Sequence, residues 1–223
     1  MGLFDFFTKK GGNKKNEKEL DVVDKRKAKC PNCEEKLSST PDRKRKCPYC
    51  EKYLYVRTTP IERTRLVVTK KEKEEIDFNK TLFDQLLPDK GISKKEAESL
   101  FKENNFQSPR DVAWSLCNKK ILEHKKKGDY QGLQGVYLVM EKILAHEEKD
   151  WIKTAKERLY FQAKEQKEEG LDFVIPTAAL DNQDKLCDTC NILEGSKIDI
   201  EKAINDKPVP PEDCACEYRY WTY

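Results

Sequence analysis

The sequence lacks long apolar runs, has little histidine, and lacks the glycine-rich motifs of nucleotide-binding enzymes. No run approaches the roughly 18 apolar residues that a membrane-spanning helix needs. The two histidines, His124 and His146, belong to no metal-ligand motif. There is no Gly-x-Gly-x-x-Gly, no P-loop and no Gly-x-Ser-x-Gly. We therefore predict a non-enzymatic protein, with an enzyme that has no recognisable motif as the weaker alternative.

We also expect no export signal. The opening stretch MGLFDFFTKKGG is too short and too acidic for a signal peptide, and Phe6 stands where myristoylation requires Ser or Thr. We expect a cytoplasmic protein of a bacterium or of a phage-infected cell. In a reducing compartment, paired cysteines favour metal ligation over disulfides. The apolar tip within residues 1–10 is either a weak docking element for a membrane surface or partner, or a frayed or self-docked terminus.

The composition is too polar for one large core. Charged residues make up 38% of the chain, hydrophobic residues 37%, and the mean hydropathy is −0.90. Residues 1–60 hold 16 Lys and Arg against 9 Asp and Glu, whereas the remainder holds 28 against 32. Small modules held by more than apolar burial fit this composition. The basic front end favours an anionic partner such as nucleic acid, with a solubilising surface as the alternative.

The residue pattern predicts an α+β fold in four segments. These are a flexible tail with a hydrophobic tip (1–24), a β zinc ribbon with four cysteines (25–70), a central helical domain (71–170) and a small C-terminal four-cysteine zinc module (171–223). Two runs rich in Tyr, Val, Leu and Thr, Tyr53–Thr58 and Arg63–Thr69, predict strands in the ribbon. Ile200–Ile204 predicts a short helix, whereas the stretch up to Cys190 is typical of short strands or loops.

The helical domain carries apolar stripes at three- and four-residue steps, typical of a small antiparallel helical domain. Its helix starts are signalled by Ser93 followed by Glu96, by Ser108-Pro109 with Asp111, and by Asp129. The sequence HEEKD interrupts the last stripe. That segment is therefore either two helices or one that projects from the bundle.

The first cysteine set has the spacing of a zinc ribbon. Two Cys-Pro-x-Cys turns, Cys30 to Cys33 and Cys47 to Cys50, are separated by thirteen residues. Two residues between thiolates let a tight turn direct both sulfurs at one ion, and a second turn completes a tetrahedron. The string CPYC also occurs at the active site of glutaredoxins, but that chemistry requires a helix after the first cysteine. Here a strand-like run follows, so we predict a structural zinc site.

Basic residues flank these ligands, with Tyr49, Tyr53 and Tyr55 nearby. Such cations and rings can grip phosphates and stack on bases. Alternatively, the lysines offset the negative charge of a zinc–thiolate centre. The candidate nucleic-acid contacts are Lys25, Arg26, Lys27, Arg43, Lys44, Arg45 and Lys46.

A second cysteine set lies near the end of the sequence. Cys187 and Cys190 form a Cys-x-x-Cys, and Cys214 and Cys216 form a Cys-x-Cys after a proline-rich approach. Four cysteines in two close pairs predict a second structural zinc, with disulfides or unrelated buried thiols as alternatives. We also expect Tyr218, Tyr220 and Trp221 to form a small aromatic core for this module.

This C-terminal stretch carries a resemblance. LCDTCNILEGSKIDIEKA followed by PVPPEDCACEYRYW, within Asp184–Trp221, resembles the C-terminal cysteine motif of phage head morphogenesis proteins, the Mu F-like minor head protein group. The Leu-x-Gly element at Leu193–Gly195 is shared, whereas Glu212-Asp213 stands where the family has His-Pro. The resemblance implies a shared zinc-stabilised module. We therefore expect an adaptor or assembly protein that binds a protein partner.

Overall fold

The computed structural model describes residues 29–103, 106, 108–178, 188–210 and 218–221, with backbone alone at 189, 190 and 221. This part of the chain combines helices with two small antiparallel sheets, so the α+β class predicted from the sequence is confirmed. It divides into two compact units. Of the described residues, the first unit holds 29–58 and 64–73, and the second holds 59–63 and everything from 74 onward. The predicted tail over residues 1–24 lies outside the described residues.

The first unit is built on an antiparallel sheet of order β1-β2-β3. Its strands are β1 (Arg45–Lys46), β2 (Tyr53–Thr58) and β3 (Arg65–Val68). Strand β2 occupies the predicted run. Strand β3 begins two residues later than predicted, because Arg63 has a φ of 56° and a left-handed residue cannot extend a strand.

Side-chain alternation along β2 separates the core of the first unit from its surface. Leu54 is fully buried, whereas Tyr53 on the opposite face is 47% exposed. Leu54 packs with Leu37, Val67 and the thiols of Cys30 and Cys47. The apolar core of this unit is therefore built around its cysteines.

Five longer helices follow the sheet. They are α1 (Lys70–Thr81), α2 (Lys94–Glu103), α3 (Pro109–Lys127), α4 (Tyr130–His146) and α5 (Ile152–Glu168). A π-helical turn (Leu82–Leu86) and a 3-10 turn (Pro88–Lys90) connect α1 to α2. The ambiguous HEEKD segment starts at the last residue of α4 and continues into the turn before α5, so the last stripe forms two helices. Apolar side chains of the second unit, from Ile61 to Phe161, form one buried cluster that includes Cys117.

The predicted helix starts use the expected side chains. The Ser108 hydroxyl accepts from the N–H of Asp111, and the Asp111 carboxylate accepts in return from the N–H of Ser108. The Asp129 carboxylate accepts from the N–H of Gly132 at 2.8 Å and thereby caps α4. That hydrogen bond is the largest of the interactions that lower the pKa of Asp129, together with the contact with His124.

The remaining elements include a second sheet. They are β4 (Phe173–Ala178), α6 (Asp188–Leu193), β5 (Ile198–Asp199), α7 (Ile200–Asp206) and β6 (Tyr218–Trp221), with sheet order β5-β4-β6. Helix α7 matches its prediction. The strand-or-loop prediction up to Cys190 was wrong for residues 188–190, which form the start of α6. Asp188 in the first turn of this helix is a favourable negative charge at its N-terminus.

Strand β6 lies between β4 and side chains of α5. Gln162 donates to the carbonyl of Tyr220 at 2.7 Å and accepts from its N–H at 3.1 Å, so one amide side chain satisfies both backbone groups. Pro176 faces Tyr220 in the β4–β6 pairing. Because the polar groups of Tyr220 point to Gln162, a proline without an N–H is tolerated there. Tyr218 and Tyr220 are both buried in the cluster beneath this sheet.

Candidate metal centre

The structure brings the four cysteines of the first set together in the first unit. The Sγ atoms of Cys30, Cys33, Cys47 and Cys50 all lie within 4.8 Å of one another, and among the described residues this is the one such group of potential ligands. All four are free thiols. Cys30 and Cys47 are each 1% exposed, whereas Cys33 and Cys50 lie nearer the surface.

Two turns of the same form deliver these thiols. In the first, the N–H of Cys30 donates to the carbonyl of Glu35, and the N–H of Glu34 donates to the carbonyl of Cys30. The second turn repeats both hydrogen bonds between Cys47 and the residues Glu51 and Lys52. Glu34 and Glu51 have φ values of 61° and 57°. Each turn therefore reverses through a left-handed residue, which directs the two sulfurs of a pair to the same side.

The four-thiol centre, formed by Cys30, Cys33, Cys47 and Cys50, has the dimensions of a tetrahedral site. The Sγ atoms of Cys30 and Cys50 are 3.8 Å apart, and those of Cys33 and Cys47 are 3.9 Å apart. A tetrahedron with metal–sulfur bonds of about 2.3 Å has sulfur–sulfur edges of about 3.8 Å. The residues present therefore fit a metal ion, and the centre could hold one.

The electrostatics of the thiols are uneven. The backbone N–H of Glu35 lowers the pKa of Cys33, but desolvation and the three neighbouring thiols together raise it to about 12. Desolvation raises the pKa of Cys47, whereas backbone N–H groups of Cys50 and Tyr49 and two neighbouring thiols bring it down to about 7. Four thiolates at this separation repel one another, and a divalent cation at their centre offsets that repulsion.

The redox alternative for CPYC finds no matching context. The turn after Cys47 leads directly into β2 rather than into the N-terminus of a helix, where a reactive thiolate would be stabilised. Cys117 lies apart from the centre, and burial raises its pKa to about 12. It is a small core residue in the helical cluster.

The second predicted metal set cannot be placed in the same way. Cys187, Cys214 and Cys216 lie outside the described residues, as does the side chain of Cys190. The second zinc site therefore stays a prediction.

The predicted basic contacts separate into different roles. Lys25, Arg26 and Lys27 lie outside the described residues, whereas Arg43, Lys44 and Lys46 are exposed. Arg45 is half-buried, and its guanidinium donates to the hydroxyl and the carbonyl of Ser39. Arg45 therefore holds a loop of the first unit in place.

Two of these lysines lie over tyrosine rings. The Nζ of Lys44 is 4.3 Å from the centroid of Tyr53 and 5.4 Å from that of Tyr55, and the Nζ of Lys46 is 5.6 Å from Tyr53. Lys73, in α1, reaches to 6.0 Å from the Tyr55 ring. The sequence did not suggest Lys73, because it is one lysine in a lysine-rich helix far from the cysteines.

Both histidines contact residues of neighbouring helices or helix caps. The Nδ1 of His124 lies 2.7 Å from the Asp129 carboxylate that caps α4. The ring of His146 stacks on Phe78 with a centroid separation of 3.9 Å. One ring therefore forms a hydrogen bond with a helix cap, and the other stacks on a residue of a neighbouring helix.

Comparison of the chain with protein-family models, with curated proteins and with solved structures finds no match. Among the helices that the structure describes, none is long and apolar enough to cross a membrane.

Proposed function

We propose that the chain is a zinc-binding, non-enzymatic adaptor whose first unit is a four-cysteine zinc ribbon. The four-thiol centre carries this proposal, because its four sulfurs lie within 4.8 Å of one another and two of their separations, 3.8 and 3.9 Å, match the edge of a tetrahedral site. Four soft thiolates in tetrahedral geometry select zinc over hard cations such as magnesium and calcium. With all four positions taken by cysteine no position is open for substrate, so the role of the metal is to hold the module's shape.

A C-terminal zinc module and an assembly role extend the proposal. The likeness of Asp184–Trp221 to the cysteine motif of phage head morphogenesis proteins supports both. In this proposal, Cys187, Cys190, Cys214 and Cys216 hold a second structural zinc. A protein partner, in phage-related assembly, then binds the surfaces that the two modules present.

Native mass spectrometry of the full chain tests the metal assignments. We expect two zinc ions per chain, one in the Cys187→Ser variant and none when Cys47→Ser is added, because each site loses one of four ligands. The matched control is Cys117→Ala, which removes a thiol from the helical core and should keep both ions.

A native chain that binds no zinc would contradict the zinc-ribbon proposal. One zinc ion in both the native chain and Cys187→Ser would contradict only the proposed C-terminal site. For the adaptor role, a protein partner that binds the double cysteine variant as tightly as the native chain would show that neither module contributes to binding.

Nucleic-acid binding through the first unit is the second candidate function. The exposed lysines Lys44 and Lys46, both close to the ring of Tyr53, favour it. Cations that neutralise phosphates make affinity fall with salt, by roughly 0.7 to 0.9 in logarithmic slope for each contact.

Neutralising these two lysines tests this candidate. Lys44→Gln/Lys46→Gln should weaken binding and reduce the salt slope by about 1.4 to 1.8, because two phosphate contacts are lost. Arg45 is left in place, since it holds Ser39. The control pair Lys36→Gln/Lys95→Gln makes the same change in net charge at exposed positions and should leave the slope unaltered. Binding titrations at several salt concentrations measure the affinity and its salt slope. Equal salt slopes for the two double variants would exclude phosphate contacts by Lys44 and Lys46.

A further inference from the structure

The outer face of β2 presents two aromatic rings in a row. Tyr53 and Tyr55 are two positions apart, so their side chains lie on the same face of the strand. Leu54 between them is fully buried beside the four-thiol centre. The thiol-containing core therefore anchors the strand from one side, while on the other side Tyr53 is 47% exposed and Tyr55 is half-buried.

Three ammonium groups surround these rings. Lys44 is within 5.4 Å of both centroids, Lys46 lies directly opposite Tyr53 in the β1–β2 pairing, and Lys73 approaches Tyr55 from α1. We call Tyr53, Tyr55, Lys44, Lys46 and Lys73 the tyrosine–lysine face. Contacts between a cation and an exposed ring are weak, so a flat ligand can displace an ammonium group from the ring while that group keeps its charge nearby.

The spacing of the rings distinguishes between nucleic-acid structures. Alternate side chains on a strand are about 6.7 Å apart. Bases along one strand of a duplex are about 3.4 Å apart, half that distance. Two bases that stack on the two rings must therefore be unstacked from each other, and base pairing in a duplex prevents this. A single strand can separate its bases and offer each one a ring.

We propose that the tyrosine–lysine face binds single-stranded nucleic acid, with Tyr53 and Tyr55 each stacking on one base and the lysines holding the intervening phosphates. This inference rests on the nucleic-acid function proposed above and names its ligand. Stacking is tolerant of sequence, because every base has a flat face. The face therefore recognises the strandedness of the ligand rather than its sequence.

Fluorescence anisotropy with the full-length, zinc-loaded chain tests the stacking. The probes are 12-nucleotide oligo-dT, 12-nucleotide oligo-U and a hairpin duplex. Tyr53→Ala should weaken binding of both single strands by about 5- to 100-fold, the effect expected for losing one stacked base. Tyr53→Phe keeps the ring and should bind like the native chain. The salt slope should be the same in both variants, since neither removes a charge.

Further measurements distinguish failure of the stacking inference from failure of the proposed nucleic-acid-binding function. Zinc content is measured for each variant, and Tyr53→Leu replaces Tyr53→Ala if the alanine variant loses its metal. If Tyr53→Ala binds like Tyr53→Phe while Lys44→Gln/Lys46→Gln is weakened, or if the hairpin binds as tightly as oligo-dT, stacking is overturned and the lysine contact survives. No binding of any probe at low salt overturns both.

Discussion

Replacing Cys47 by Ser is expected to unfold the first unit while the second unit stays folded. The apolar cluster around the thiols contains three aliphatic side chains, Leu37, Leu54 and Val67. So small an apolar core is a weak counterweight to the conformational entropy that is lost when the unit orders. In the proposed zinc ribbon, metal binding and folding are coupled, so that the loss of one ligand unfolds the unit. Zinc binding in small zinc-dependent peptides is worth about 10–16 kcal/mol in apparent free energy.

Amide hydrogen exchange tests this prediction, because it measures protection separately in the strands of the first unit and the helices of the second. In Cys47→Ser, or in the native chain with excess chelator, protection should be lost across β2 and β3 and retained across α3, α4 and α5. The matched control is Cys117→Ala, which should leave the protection of β2 and β3 unchanged. Protection of β2 that survives both the cysteine variant and the chelator would show that the first unit is stable without metal.

Replacing Arg158 by Met is expected to destabilise the second unit by about 3–5 kcal/mol, the usual cost of removing one partner of a buried ion pair. Arg158 and Glu141 have side chains 7% and 6% exposed, with the Arg158 Nε 2.7 Å from the Glu141 carboxylate. A second guanidinium nitrogen donates to the carbonyl of Tyr218 at 2.8 Å. One side chain thus joins α4, α5 and β6, and its loss leaves the Glu141 charge buried without Arg158.

The double variant Arg158→Met/Glu141→Leu should recover most of that loss, because apolar residues of similar volume often replace a buried pair at little cost. The control on the same helix is Lys167→Met, which breaks the exposed pair with Glu201 and should cost under about 1 kcal/mol. Urea unfolding followed by tryptophan fluorescence measures all three, since Trp114, Trp151 and Trp221 belong to the second unit. A double variant as unstable as Arg158→Met would show that lost packing, rather than the Glu141 charge left behind, causes the loss.

The four-thiol centre and the helix starts could be predicted from the sequence because their chemistry is local. Two residues between cysteines define a turn, and two such turns define a tetrahedral site. Ser108 with Asp111 and Asp129 with Gly132 act within three residues of each other. Interactions between residues so close in the chain depend only on local residue order, and this order can be read directly from the sequence.

The roles of individual charged residues could not be predicted in this way. Arg45 holds Ser39, whereas its neighbours Lys44 and Lys46 lie over Tyr53. All three belong to one run of four basic residues. Their roles differ because their side chains lie on different faces of the chain, and because those faces pack differently in the first unit.

The sequence by itself determined the α+β class, the cysteine spacing of the four-thiol centre and the starts of α2, α3 and α4. The tertiary structure alone decided the order of the β5-β4-β6 sheet, the use of Gln162 to satisfy Tyr220 and the burial of Arg158 with Glu141. In a chain with 38% charged residues, a charged side chain that will be buried has no local signature. Its partners are distant in sequence, and its burial depends on how the helices and strands pack in the tertiary structure.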